Sequence, residues 1–281
     1  MNITFDDVKN KVVVITGGSG VLGGIFTRAL MEADAKVVIL DYKKERCEKF
    51  AAELQSKTNK KVFCAMGNIL DKQSLIEAKK IINEKFGKVD VLINAAGGNS
   101  LKATTEDEFV TNENLNSLEK TFFGLELEGF KNVFDLNFLG TVLPTMVFAE
   151  DMINRNGVVI NISSMNSFRP LTKIPAYSAA KSAVNNLTLW LAVHFAKVGI
   201  RVNAIAPGFF ITNQNRFLLI DEKTGELTKR GQQILSNTPM GRFGQPEELI
   251  GTLFYLISDI SKFVTGVVIP VDGGFNAYSG V

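Results

Sequence analysis

Tyr177 and Lys181 stand four residues apart at the start of a segment with helical spacing, which puts a phenol and an ammonium on one helix face. A cation beside a phenol favours the phenolate and lowers a pKa that is otherwise about 10. Such a pair suits an acid/base acting on an alcohol or a ketone near neutral pH. Upstream, Asn161-Ile162-Ser163-Ser164 closes a β-branched run and leaves a hydroxyl at a strand end. A Y-x-x-x-K pair alone carries little weight, because many helices contain one by chance. Its meaning depends on what the chain sets beside it.

A second chemical element is the turn Thr16-Gly17-Gly18-Ser19-Gly20-Val21-Leu22-Gly23-Gly24, in which Gly18 to Gly23 reads G-x-G-x-x-G. Between a strand and a helix, such glycines let backbone N–H groups approach a pyrophosphate. Asp41 ends the next strand eighteen residues after Gly23, where a carboxylate can accept from both hydroxyls of an adenosine ribose. No Lys-Ser or Lys-Thr follows the glycines at the required spacing, so a Walker A loop is absent and phosphoryl transfer drops well down the list of reactions.

Composition narrows the classes further. The 281 residues are 46% hydrophobic and 21% charged with a formal net charge of +2, which describes a folded chain without the positive field of a nucleic-acid binder. Small molecules are the expected partners. His194 is the single histidine, which argues against a Ser-His-Asp hydrolase and a His/Cys zinc site, so no metal is expected. His194 itself reads as a packing or interface residue. Cys47 and Cys64 cannot build a disulfide framework and are expected as inert small residues in a reducing cytosol. The N-terminus carries Asp6 and Asp7 without an apolar signal region, and no eighteen-residue apolar run occurs. The expectation is a cytoplasmic protein with no membrane partner.

Short apolar runs alternate with amphipathic helices along the chain. Strands are expected at Lys11 to Thr16, Val37 to Leu40, Lys61 to Met66, Val89 to Asn94, Gly157 to Ser163, Ile200 to Ile205 and Val267 to Pro270. Helices are expected at Val21 to Met31, Lys43 to Lys57, Asp71 to Phe86, Asn132 to Asn154, Ala176 to Lys197 and Pro246 to Ser258. The pattern predicts a single α/β domain over 1–281, a Rossmann-type doubly wound parallel sheet of about seven strands flanked by helices. Two long connections, near 98–131 and 209–245, follow strand ends and are candidate substrate loops. In the second, Phe209, Phe210 and Phe217 could form an apolar lid. The helix holding Tyr177 is apolar nearly all round, which predicts burial between the sheet and a second subunit. Lys43, Lys44 and Arg46 read as a solvated helix start.

With these elements assembled, the chain resembles the short-chain dehydrogenase/reductase family over essentially its whole length. The matching motifs are Thr16 to Gly23, Asn94-Ala95-Ala96-Gly97, Asn137 in Asp135-Leu136-Asn137, Ser164 thirteen residues before Tyr177, Lys181, and Pro207-Gly208 followed by Thr212. The resemblance implies hydride transfer between a nicotinamide and a carbinol carbon. Tyr177 would move the hydroxyl proton, Lys181 would hold the nicotinamide ribose, Ser164 would polarise the carbonyl, and Asn137 would support a proton-relay water. It further implies that Gly17, Ser19, Gly20, Leu22, Gly23, Asp41, Tyr42, Asn68 and Ile69 bind the cofactor, with the glycine turn at its pyrophosphate, Asp41 at the adenosine ribose and Asn68 at the adenine. Asn94, Ala95 and Gly97 would flank the cofactor, with Pro207, Gly208 and Thr212 near its carboxamide. A homotetramer is also implied.

Three positions depart from the family pattern: Val21 replaces the middle glycine, Asn68 a usual aspartate, and Ala95 the second asparagine. Ile162 to Lys181, Ala206 to Thr212 and Val271 to Phe275 further resemble the D-mannonate oxidoreductase (fructuronate reductase) subgroup, and gluconate 5-dehydrogenases share much of this framework. A dinucleotide-sensing protein of the same fold would keep the glycine turn and lose the Ser164, Tyr177, Lys181 set. The expected cofactor is NAD, since Asp41 repels a 2′-phosphate and Gly17 to Gly24 holds no cation. The expected substrate is a sugar acid. Its carboxylate would meet Arg169 or Arg216, with Lys173, Asn213 and Asn215 nearby, and Asn166 would bind a neighbouring hydroxyl.

Overall fold

A computed structural model of the chain describes residues 4–212 and 216–280, so Asn213 and Asn215 lie outside the described residues. The chain runs β1 (Val12–Thr16), α1 (Val21–Glu32), β2 (Lys36–Asp41), α2 (Lys44–Thr58), β3 (Phe63–Met66), α3 (Lys72–Phe86) and β4 (Val91–Asn94). It continues with α4 (Leu127–Phe134), α5 (Gly140–Phe148), β5 (Val158–Ile162), α6 (Pro175–Phe195) and β6 (Arg201–Pro207). Then follow α7 (Arg216–Leu219), α8 (Lys229–Ser236), α9 (Ile250–Ile257) and β7 (Val268–Val271). All seven strands form one parallel sheet in the order β3-β2-β1-β4-β5-β6-β7. This is the doubly wound Rossmann arrangement that the alternating pattern predicts.

Every residue of β1, β4 and β5 is buried, which explains their mainly aliphatic character, with Thr16, Asn94 and Asn161 as the polar exceptions. Alternate residues feed two opposite layers. Val13, Ile15, Ile93 and Ile160 pack with Phe26, Leu30 and Leu253 on one face. Val14, Leu92 and Val159 pack with Leu75, Ile82, Phe148 and Leu191 on the other. Each such side chain contributes about 1.5–3 kcal/mol of burial. Helix limits follow local chemistry: Asp71 caps α3 by accepting from the Gln73 and Ser74 N–H groups, and Pro175 occupies the first turn of α6. Asn59 ends α2 in the left-handed region at φ 56°.

Two local readings change. The helix expected from Asn132 starts at Leu127, and its regular course is interrupted by a π-helical segment, Asp135–Leu139. Apolar periodicity carries no mark of a single wide turn. This run, Leu127–Met152, has membrane-spanning length with a mean hydropathy of 1.2, but half of its apolar window is buried inside the protein. Secondly, Cys47 and Cys64 are joined in a disulfide. The crossover from α2 back to β3 brings their Cα atoms to 6.0 Å, a proximity that seventeen residues of separation do not reveal. Helix α6 packs one face on the sheet as expected, and Leu189, Trp190 and Val193 are exposed in the single chain, with His194 exposed and stacked on Trp190 at 4.4 Å.

Candidate active site

Strand order reverses between β1 and β4, and the C-terminal ends of the strands there border a cavity of about 790 Å³. An open α/β sheet binds ligands at such a switch point. At one end Gly20, Val21, Leu22 and Gly23 present the start of α1 to the cavity, with Gly20 as N-cap and no side chain capping it. The first-turn N–H groups, for which a helix has no internal acceptor, are thus available to an anion. A Cβ at Gly23 would lie 2.3 Å from the Gly17 carbonyl oxygen, so the tight turn requires glycine there. Val21 lies in the first turn of α1, and Gly20 supplies the extended N-cap, so the departure at Val21 leaves the turn and helix entry intact.

Asp41 ends β2 at the cavity wall. Burial opposes its charge, but hydrogen bonds from the Ser19 hydroxyl (2.5 Å), the Lys43 N–H (3.1 Å) and Arg46 (2.6 Å) outweigh it and hold the carboxyl below its ordinary range. Arg46 also lines the cavity, so it is not merely part of a solvated helix start. Lys43 and Lys44 retain that reading: both are exposed, and neither lines the cavity. Ser19 is likewise absent from the wall and acts on Asp41. Tyr42, Asn68 and Ile69 line the adjoining surface; the Asn68 side-chain oxygen accepts from the Leu70 N–H at 3.0 Å.

At the other end Ser164, Tyr177 and Lys181 share the wall with Ala95, Gly97, Pro207, Gly208 and Thr212. Lys181 donates to the Ile162 carbonyl at 2.7 Å, and burial lowers its pKa to about 8. Burial raises the Tyr177 pKa, with the Ser164 hydroxyl pulling the other way. The lowered phenol expected from the sequence is thus corrected. Desolvation dominates here, and the Lys181 nitrogen sits 5.7 Å from the phenol ring centre.

Several predicted residues stand elsewhere. Asn137 is fully buried behind the wall rather than on it; its amide oxygen accepts from the Gly98 N–H (3.2 Å), and its amide nitrogen donates to the Gly98 carbonyl (2.7 Å) and the Val133 carbonyl (2.8 Å). A Cβ at Gly97 would fall 2.8 Å from the Asn137 side-chain oxygen and 3.3 Å from the Lys181 nitrogen, so glycine keeps these two groups close. Asn94 faces the core instead of the cofactor, donating to Thr145 and to Asn161, whose amide donates in turn to Thr188. Asn166 is buried with its side-chain oxygen unpartnered among the described residues, and it is not on the cavity wall. Arg169 is exposed and donates to the Tyr278 carbonyl at 2.9 Å; Lys173 donates to the Glu106 carbonyl at 2.6 Å. Arg216 is exposed at the start of α7, and neither arginine lines the cavity. Phe209 and Phe210 do line it, with Phe209 edge-on to Phe275 at 5.3 Å, while Phe217 is exposed. Arg46 and Leu136 are wall residues to which the sequence assigned no part in binding.

The open α1 N-terminus, the Asp41 carboxylate and the Ser164–Tyr177 pair border one cavity, and could meet in turn the pyrophosphate, adenosine ribose and nicotinamide end of a dinucleotide. The short-chain dehydrogenase model matches residues 11–223, and the chain belongs to that family. It is an oxidoreductase. Among its relatives, an uncharacterized oxidoreductase of Haemophilus influenzae is 51% identical, over 100% of this chain and 99% of that protein. An uncharacterized oxidoreductase, UxuB, of Bacillus subtilis is 46% identical over 98% of each. The 2-dehydro-3-deoxy-D-gluconate 5-dehydrogenase of Dickeya dadantii is 34% identical over 96% and 97%. A crystal structure from Haemophilus influenza, of a protein provisionally described as a D-mannonate oxidoreductase with bound NAD, has a TM-score of 0.93 at 50% identity, covering 99% of both chains. That of a gluconate 5-dehydrogenase from Burkholderia cenocepacia with NADP and tartrate has a TM-score of 0.81 at 27% identity, covering 98% and 99%.

Proposed function

We propose that this protein interconverts a sugar-acid hydroxyl and its ketone with NAD(H), with D-fructuronate and D-mannonate as the leading pair. The observation that carries the reading is the meeting of Ser164, Tyr177 and Lys181 at one end of the cavity that has Asp41 and the start of α1 at the other. The similarity to the Haemophilus protein with bound NAD supports both substrate and cofactor. A bound nicotinamide supplies or takes the hydride. Ser164 donates a hydrogen bond to the substrate oxygen and polarises the carbonyl. In reduction, Tyr177, kept protonated by burial, gives its phenolic proton to that oxygen as negative charge develops. Lys181 holds positive charge beneath the site and offers N–H donors to the nicotinamide ribose. Asn137 acts by fixing Gly98, and through it the Gly97 wall beside Lys181.

Asp41 favours NAD(H), because a 2′-phosphate would set negative charge against a carboxylate already held ionised. The Dickeya and Burkholderia relatives favour a second reading, a gluconate 5-dehydrogenase acting on a keto sugar acid of different carbonyl position. We further propose a homo-oligomer that covers the exposed Leu189, Trp190 and Val193 of α6. The test is a screen of purified protein against 2-keto and 5-keto sugar acids and neutral ketoses, following reduced nicotinamide absorbance. Fastest turnover of D-fructuronate is expected. Preference for a neutral ketose would reject the sugar-acid reading.

A further inference from the structure

Tyr177, Lys181 and Asn185 occupy one stripe of α6 at successive intervals of four residues. The first two reach the cavity. The third turns to the segment that follows β5 and carries Ser164. There the Ser163 hydroxyl donates to the Asn185 side-chain oxygen at 2.5 Å, and the Asn185 amide nitrogen donates to the Ser167 hydroxyl at 2.7 Å. The Ser167 hydroxyl in turn donates to the main-chain oxygen of Ser164 at 2.5 Å. One turn earlier on α6, Ser182 donates to the Ser167 carbonyl at 2.9 Å. Ser164 itself accepts at its hydroxyl oxygen from the Asn166 N–H at 3.2 Å, which leaves its proton for the cavity.

We propose that Asn185 is a positioning residue for the reaction: it clamps the Ser163–Ser167 turn to the helix of Tyr177 and Lys181, and so sets the Ser164 hydroxyl at its working distance from the phenol. An amide suits this chain of bonds. Its oxygen is the nearest acceptor for the Ser163 hydroxyl, the Ser167 hydroxyl and the Lys181 carbonyl standing farther off at 3.2 and 3.5 Å, while its nitrogen supplies a donor to Ser167. A carboxylate of the same shape accepts from both serines, draws the Ser167 proton away from the Ser164 carbonyl and releases the turn. Asn185 touches neither cavity nor substrate, so its effect reaches the reaction only through Ser164. The proposal rests on the polarising role given to Ser164 above and is independent of which sugar acid is reduced.

The experiment is a double-mutant cycle of Asn185→Asp with Ser164→Ala, on whichever ketone the native enzyme reduces, together with NADH affinity by fluorescence titration. With Ser164 present, Asn185→Asp is expected to lower kcat about 100-fold, the scale of a misplacement of roughly 1 Å, with NADH affinity unchanged. In the Ser164→Ala background the same change should cost no more than about twofold, because the group it positions is gone. Native kcat in Asn185→Asp, or an equal loss in both backgrounds, overturns the proposal. Should Asn185→Asp fail to fold, Ser167→Ala removes the same link and is read by the same two criteria. Native kcat in Ser164→Ala alone would remove the polarising role itself, and is told apart because it appears without any change at Asn185.

Discussion

Replacing Lys181 with methionine should change how stability depends on pH. Buried Lys181 has its pKa lowered from 10.5 to about 8. Above pH 10.5 both folded and unfolded states hold it neutral, and it costs the fold nothing in charge. As pH falls through that interval the unfolded chain takes up the proton first, and below pH 8 the folded state carries the full penalty for a buried ammonium. The pKa difference corresponds to roughly 3 kcal/mol, from about 1.4 kcal/mol per tenfold change in proton affinity. Lys181→Met removes this pH-dependent part while adding a constant cost for the lost bond to the Ile162 carbonyl. The assay is urea unfolding of both proteins at a series of pH values from 7 to above 10. Native stability should rise relative to Lys181→Met by up to roughly 3 kcal/mol across the series. A difference that stays constant, or that shrinks as pH rises, would refute the assignment of Lys181 as a desolvated cation.

Cofactor choice, the disulfide and Arg169 can each be tested by substitution. Asp41→Ala frees Arg46 from its ion pair, so the ratio of kcat/KM for NADH over NADPH should fall by about tenfold or more, the scale of a charge-assisted contact; an unchanged ratio would show that Asp41 does not select the cofactor. Reduction of Cys47–Cys64, or Cys47→Ser, should cost on the order of 3 kcal/mol for a cross-link of this span, measured as a lower Tm, and an unchanged Tm contradicts a closed pair. Arg169→Ala should lower rates on a keto acid and on a neutral ketose alike, because Arg169 holds the Tyr278 carbonyl and does not line the cavity. Selective loss on the keto acid would show instead that Arg169 reaches the carboxylate.

The parallel sheet was legible because its strands are short aliphatic runs separated by amphipathic helices, and period and order alone specify βαβ units. Ser164, Tyr177, Lys181 and Asp41 were legible because each sits at a strand end or helix start, where elements converge on the cavity. What the sequence concealed depends on side-chain direction at a distance. Asn94 carries the motif but points into the core toward Thr145 and Asn161, since it is buried between strands that both carry polar side chains at that level. Arg46 looked like one cation in a solvated cluster, and its ion pair follows from the entry angle of α2 beside Asp41. Cys47 and Cys64 became neighbours through packing of α2 on β3. The π-helical turn at Asn137 leaves apolar spacing intact, so no periodicity argument could find it. Arg169 and Arg216 were chosen by chemical type within long connections, whose course apolar periodicity does not constrain.

The most direct test of the account is the Tyr177→Phe variant, assayed for ketone reduction alongside its affinity for NADH. The substitution removes the transferable proton and leaves the ring packing in place. A loss of about 100-fold or more in kcat, the scale of a general acid, with cofactor affinity essentially retained is the predicted result. Retention of more than about a tenth of the native rate would fall short of that scale and contradict the assignment of Tyr177 as the proton donor.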